Sequence, residues 1–275
     1  MSFSTTDIVK LRKLTGAGMM DCKNALQESE GDFNRAIEII REKGKLIASK
    51  RSEREASEGV VLSKTTEDKK FGAMIVLNCE TDFVAKNSNF IAFADSILNL
   101  ALEQKPGNLE ELKNLNMENR SVDAQVTEQT GVIGEKLELS HYEKIEAETV
   151  VSYIHPGNKL ATLVGFNKDG VENQLAKEIA MQVAAMSPIS IDKDDIPQDV
   201  IDKELEIAKE KFRQEGKPET MLDKIAQGSL NKWFKDVTLL NQAFIRDTKI
   251  SVKQYMAQSD KELEVISFKR YSLNV

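Results

Sequence analysis

Apolar residues first recur along the chain at helical spacing. Ile8, Leu11 and Leu14 share a face behind a cap at Thr5 or Thr6, and Ala25 and Leu26 mark a second helix over Asp21 to Ser29. Phe33, Ala36, Ile37 and Ile40 mark a third, opened by Gly31-Asp32, while Gly16-Ala17-Gly18 reads as the turn between the first two. The spacing predicts a three-helix module over residues 1–44. So short a module rarely holds together unaided, so it is expected to lean on another body. From Gly44 to Gly59 the apolar period fades, and residues 45–58 read as an extended helical linker.

Beyond Gly59 the period becomes two. Val60-Val61-Leu62, a polar turn from Thr65 to Lys70, and Phe71 to Leu77 predict a β-hairpin, covered by a helix from Ser88 to Leu102. The same order recurs with Val150 to Ile154, a turn at His155-Pro156-Gly157-Asn158, Leu160 to Phe166, and a helix from Glu172 to Met186 stopped by Pro188. Residues 195–237 then carry two charged helices broken at Gly216-Lys217-Pro218, an antiparallel coiled-coil hairpin with arms roughly 25 Å long at 1.5 Å per residue. Asn241 to Ile245 and Glu262 to Phe268 are strand-like, so the chain is expected to re-enter a sheet after that insertion. The fold class is therefore α+β. A first core subdomain is expected over 59–140, and a second over 141–194 and 238–275, interrupted by the hairpin.

Composition narrows the class of function. With 40% apolar and 30% charged residues in 275, the chain is expected to build ordinary cores. The longest apolar stretches, such as Ala73 to Leu77, fall far short of the roughly 20 residues that cross a bilayer. The N-terminal run Met1-Ser2-Phe3-Ser4-Thr5-Thr6-Asp7 resembles neither a signal nor a transit peptide, so a cytoplasmic protein is expected. Cys22 and Cys79 stand apart, without CxxC spacing, and read as buried thiols. A net charge of -7 disfavours a general nucleic-acid binder. Six basic residues against two acids between Arg41 and Arg54 form the local exception, read as a solvated helix face or as a binding patch.

The groups that enzymes use are scarce. Two histidines, His141 and His155, are present, and neither a metal-ligand motif, a nucleophile elbow nor a complete phosphate-binding loop occurs. No cofactor and no metal site is expected, and a non-catalytic partner protein is the reading that follows. Two constellations suit contact rather than chemistry. Met19-Met20 follows a glycine turn at a corner where both cannot face a small core. Thr81-Asp82-Phe83-Val84 lies between a strand and its covering helix. Read locally, Asp82 caps a helix with Phe83 beneath it; the better helix start at Asn87-Ser88 instead leaves Phe83 free to point outward.

Two long stretches carry a family resemblance. Gly16-Ala17-Gly18-Met19-Met20-Asp21-Cys22-Lys23 and Asn78-Cys79-Glu80-Thr81-Asp82-Phe83-Val84-Ala85-Lys86 resemble the signatures of bacterial elongation factor Ts, the guanine-nucleotide exchange factors for the GTPase elongation factor Tu. Ile133-Gly134-Glu135, Ser152-Tyr153 with His155, Ile179-Ala180-Met181 and Gly216-Lys217-Pro218 extend it over nearly the whole chain. Pro156 departs from the glycine of some members, and the C-terminal helical module of some members is not expected here. The resemblance implies that Met19, Met20 and Lys23, with Lys50 and Arg51, dock on the nucleotide-binding domain of elongation factor Tu. Ile133, Gly134 and His155 would face another domain of that partner. Thr81, Asp82, Phe83 and Val84 would dislodge the partner's Mg²⁺, with Phe83 as the inserted group. This chain itself would bind no nucleotide, nucleic acid or membrane. The alternatives are an RNA- or ribosome-associated protein using Arg41 to Arg54, and an adaptor built on the N-terminal bundle, which resembles a ubiquitin-associated domain.

Overall fold

The computed structural model describes residues 3–273. Ser4, rather than Thr5 or Thr6, caps the first helix, because its hydroxyl accepts from the Asp7 amide and the Asp7 carboxylate accepts from the Ser4 amide, a reciprocal capping box. Helix α1 (Thr5–Thr15) buries Leu11 but leaves Leu14 63% exposed, against the inward position expected for it. The cluster it joins is small: Leu11, Ala17, Cys22, Ala25, Leu26 and Ala36 fill its buried part. α2 (Met19–Glu28) starts at Met19, not Asp21, and α3 (Phe33–Arg51) continues unbroken through Gly44, across the 44/45 boundary drawn from the fading apolar period.

The remaining elements follow in order: β1 (Glu58–Thr65), β2 (Phe71–Cys79), α4 (Asp82–Ala85), α5 (Ser88–Gln104), α6 (Leu109–Asn114), β3 (Asn116–Met117), β4 (Arg120–Ser121), α7 (Val122–Ile133) and β5 (Glu138–Glu146). Then come β6 (Thr149–Ile154), β7 (Leu160–Phe166), α8 (Asn173–Met186), α9 (Gln198–Gln214), α10 (Glu219–Val237), β8 (Ala243–Phe244), β9 (Asp247–Ser251), α11 (Val252–Ser259) and β10 (Val265–Ser272). The fold is α+β. Two antiparallel three-stranded sheets, ordered β1-β2-β5 and β10-β7-β6, form its centre. β5 pairs with β2 from Glu138 to Glu146 and so runs across the 140/141 boundary of the sequence reading.

The sheets stack face to face. Val61, Met74, Val76, Ile145, Val150 and Leu163 form the seam, while Ala73, Ile75, Leu77 and Cys79 on the other side of β2 pack against α5 and α7. β2 is therefore buried along its whole length, which explains an apolar run without alternation. The outer face of the second sheet is covered by α8 and α11, through Val164, Phe166, Ile179, Val183 and Met256. α9 and α10 form a helical hairpin with Ala208, Leu222, Ala226 and Leu230 buried between them. Its neck is closed by Ile189 donating to Val237 and Leu239 donating to Ser190. Of the two strand-like segments expected after it, only β10 joins the sheet; β8 pairs with β9 in a separate small hairpin.

The N-terminal module is docked through a helix crossing. A Cβ at Gly131 of α7 would lie 2.2 Å from the Gly44 Cα of α3, so the two backbones touch. Arg41 reaches Glu128 at 3.6 Å beside this crossing, and Lys43 pairs with Asp21 of α2. Gly44, read from the sequence as the last residue of the module before a helical linker, is a packing contact inside α3.

Candidate functional site

The turn from β2 into α5 is held by two carboxylates that cross. Glu135 accepts from the Glu80 amide at 3.2 Å, from the Thr81 amide at 3.0 Å and from the Thr81 hydroxyl at 2.7 Å. In return Glu80 accepts from the Lys136 amide at 2.6 Å and from the Arg51 guanidinium at 2.7 Å. The Lys136 amide, and after it Arg51, hold the Glu80 carboxyl below the ordinary carboxylate range despite the opposing effect of burial. Gly134 makes this cross-link possible. It ends α7 at φ 79°, a left-handed conformation that costs glycine nothing, and the reversal brings Glu135 under residue 81.

Thr81, not Asp82, caps α4: its hydroxyl accepts from the Val84 amide at 3.4 Å. Asp82 follows in the first turn and pairs with Lys86 at 2.6 Å, and that pairing lowers its pKa. Val84 packs against the first core, and Ala85 is buried. Phe83 points the other way. Its ring is 83% exposed, the most exposed of the large apolar side chains among the described residues. Burying such a ring in a partner releases far more apolar area than its neighbours offer, as at a binding hot spot.

The other sequence-derived residues are spread over α2, the end of α3, a cleft beside α4 and the β6–β7 turn. Met20 and Met19, 64% and 37% exposed, and exposed Lys23 lie on α2 of the N-terminal module, which also shows Leu14 and Leu46 to solvent. Lys50 is exposed at the end of α3, whereas Arg51 is tied to Glu80 beside the turn. Ile133 lines a cleft of about 300 Å³ with Val84, Phe90, Phe93, Val132 and Gly16, where the module meets the core. His155 stands in the exposed β6–β7 turn, with its Nδ1 3.0 Å from the Tyr153 hydroxyl. It shares a second cavity with Asp82 and Lys86, so α4 is a ridge between two clefts with Phe83 on it.

Sequence reasoning did not find Glu80 and Glu135 as a pair, because residues 55 apart in the chain give no local signal. It also left open the basic run from Arg41 to Arg54, where Arg41, Lys43 and Arg51 are ion-paired to Glu128, Asp21 and Glu80 and hold α3 in place. Both cysteines are free and buried; burial, with the Glu135 charge adding to it, pushes the Cys79 thiol up to about 12, far from a reactive thiolate. No group of three or more potential metal-ligating side chains occurs among the described residues, and no helix there is long and apolar enough to cross a membrane.

Comparison with known proteins agrees over the whole chain. A family profile described as Elongation factor TS matches residues 80–275. The protein named elongation factor Ts in Porphyromonas gingivalis (strain W83) is 51% identical over 275 residues, covering 100% of this chain and 99% of the relative. That of Azobacteroides pseudotrichonymphae is 48% identical over 275 residues, covering all of both chains. That of Bacteroides fragilis (strain YCH46) is 42% identical over 330 residues, with 99% of each covered.

Proposed function

This chain belongs to the elongation factor Ts family of translation elongation factors, and on that premise we propose that it promotes the exchange of GDP for GTP on elongation factor Tu. It does so as a binding partner and without a catalytic side chain of its own. The observation that carries this reading is Phe83: a large ring, 83% exposed, on a turn cross-braced by Glu80 and Glu135. A rigid base lowers the entropy that must be lost when an aromatic side chain enters another protein. In this reading Phe83 enters between helices of the GTPase and Asp82 lies beside it. Thr81 and Val84 fix their position, and the groups that hold the partner's Mg²⁺ are displaced.

A bound Mg²⁺ demands near-octahedral oxygen geometry, so a small displacement of its ligands weakens metal and nucleotide together. Linkage supplies the rest. If factor and GDP each disfavour the other's bound state, the factor speeds loss of GDP and a fresh nucleotide expels the factor. A coupling of about 4 kcal/mol corresponds to roughly a thousandfold change in affinity. Met19, Met20 and Lys23 of α2, with Lys50 and Arg51, serve as the docking surface for the nucleotide-binding domain. Ile133, Gly134 and His155 serve a second domain.

Release of a fluorescent GDP analogue from elongation factor Tu tests this directly. The parent chain is expected to accelerate release, whereas Phe83→Ala binds the partner but accelerates release at least tenfold less. Its thermal stability should stay within about 0.5 kcal/mol of the parent, as for other surface changes. A Phe83→Ala chain that exchanges as fast as the parent removes the proposed wedge.

A further inference from the structure

The larger cleft holds about 610 Å³, inside the range of small-molecule sites, and its floor is built by strand register. Tyr153 on β6 and Arg270 on β10 both pair with Thr162 of β7, so the three form one cross-strand row. Leu160 and Ser272 pair two positions along and share that face. The Thr162 hydroxyl donates to the Ala180 carbonyl of α8, which fixes the face as the one beneath α8. With strands about 4.8 Å apart, the Tyr153 and Arg270 backbones lie roughly 10 Å from each other across the floor. The roof is the last turns of α8, where Ala184 and Ala185 leave space that larger side chains would fill, and α4 and Ile245 form walls.

The charges in this cleft do not cancel. Lys86 pairs with Asp82 at 2.6 Å and Lys159 with Glu58 at 2.8 Å. Arg270 instead donates from Nε to the Ala184 carbonyl at 3.1 Å, and no carboxylate among the described residues pairs with it. Burial alone pulls its guanidinium below the usual arginine range, with no neighbouring acid opposing. The Nε contact satisfies a carbonyl at the end of α8 and orients the side chain, but an uncompensated, partly buried cation remains unfavourable until an anion reaches it.

We propose that this cleft binds a small apolar molecule carrying a single carboxylate, its carboxylate on Arg270 and its apolar body between Leu160, Met181 and the Tyr153 ring. One unmatched cation calls for one negative charge, and the guanidinium fork matches a carboxylate. An occupant touches Asp82, Ala85 and Lys86, the face of α4 opposite the cleft lined by Val84.

The test needs only the isolated full chain, so it is independent of the exchange reading. Phenylacetate and its uncharged isostere phenylacetamide are titrated into the ¹⁵N-labelled protein. Phenylacetate is expected to shift the Gly157, Ala184 and Ala185 amides saturably and to bind at least tenfold tighter than the amide. Arg270→Gln should remove that tenfold preference and Arg270→Lys keep part of it. Ala185→Leu, a substitution at an exposed helix position, should weaken both probes by narrowing the cleft. Equal binding of acid and amide, absence of a saturable shift, or unchanged phenylacetate binding in Arg270→Gln overturns the proposal. So does an Arg270→Gln chain whose only defect is weaker affinity for elongation factor Tu.

Discussion

Phe83 and Phe90 are close in sequence, yet one is 83% exposed and the other 2%. Both sit on helices, and what separates them is the cross-brace at residues 80 and 135, which aims the first turn of α4 away from the core. Glu135 therefore matters more than its position suggests. Glu135→Ala leaves the Glu80 amide, the Thr81 amide and the Thr81 hydroxyl without their acceptor, a loss of about 1–3 kcal/mol for partly buried donors. The urea midpoint should fall accordingly, and an unchanged midpoint means water replaces the carboxylate at no cost. Glu80 gives the pH dependence. Its folded pKa lies below the ordinary 4.5, so its contribution is present above that value and is lost as pH falls through the folded pKa. Protection of the Thr81 to Val84 amides, taken as exchange relative to the intrinsic rate at each pH, should fall on acidification below about pH 4.5 in the parent, and much less in Glu80→Gln.

At the level of elements, the α3–α7 crossing decides how the N-terminal module is carried. The two glycines are not equivalent. A methyl at Gly131 would meet Gly44 backbone at 2.2 Å, whereas one at Gly44 would meet its nearest neighbours at an ordinary 3.6 Å. Gly131→Ala is expected to push the helices apart and cost about 1–3 kcal/mol, as overpacking does. Gly44→Ala should be neutral, or stabilising by up to about 1 kcal/mol through helix propensity. Denaturant unfolding of both variants, with limited proteolysis at the seam, checks the asymmetry; equal destabilisation contradicts the contact geometry.

At the scale of the molecule, the three core clusters of the stacked sheets contain, among the described residues, none before Val60. A chain lacking residues 1–54 should therefore keep a cooperative thermal transition, lowered by the exposed seam of α7 and by loss of the Arg51–Glu80 pair. It should lose most of its affinity for elongation factor Tu, because α2 and the end of α3 carry the proposed docking surface. Calorimetric unfolding and titration against the partner separate the two effects. Loss of folding contradicts an independent core, and undiminished affinity contradicts the docking role of the N-terminal module.

By itself the sequence determined which segments become helices, hairpins and turns, because period, caps and breakers act within a few residues of each other. It reached α5, α8, the β1–β2 and β6–β7 hairpins and the α9–α10 hairpin, and its two long family stretches pointed to residues 19–23 and 81–84. Only the tertiary structure decided what those segments touch. Gly44 read as a boundary because the backbone that needs it lies on α7, and β2 read as a covered hairpin strand because its second face is buried by a distant sheet. Glu80 and Glu135 stand in family stretches, but nothing there says that they brace one another, and Arg270 gave no signal at all, since each owes its role to partners far away in sequence. Local periodicity records burial but not the identity of the covering surface, and the turn at Thr81 to Val84 owes its rigidity to that surface.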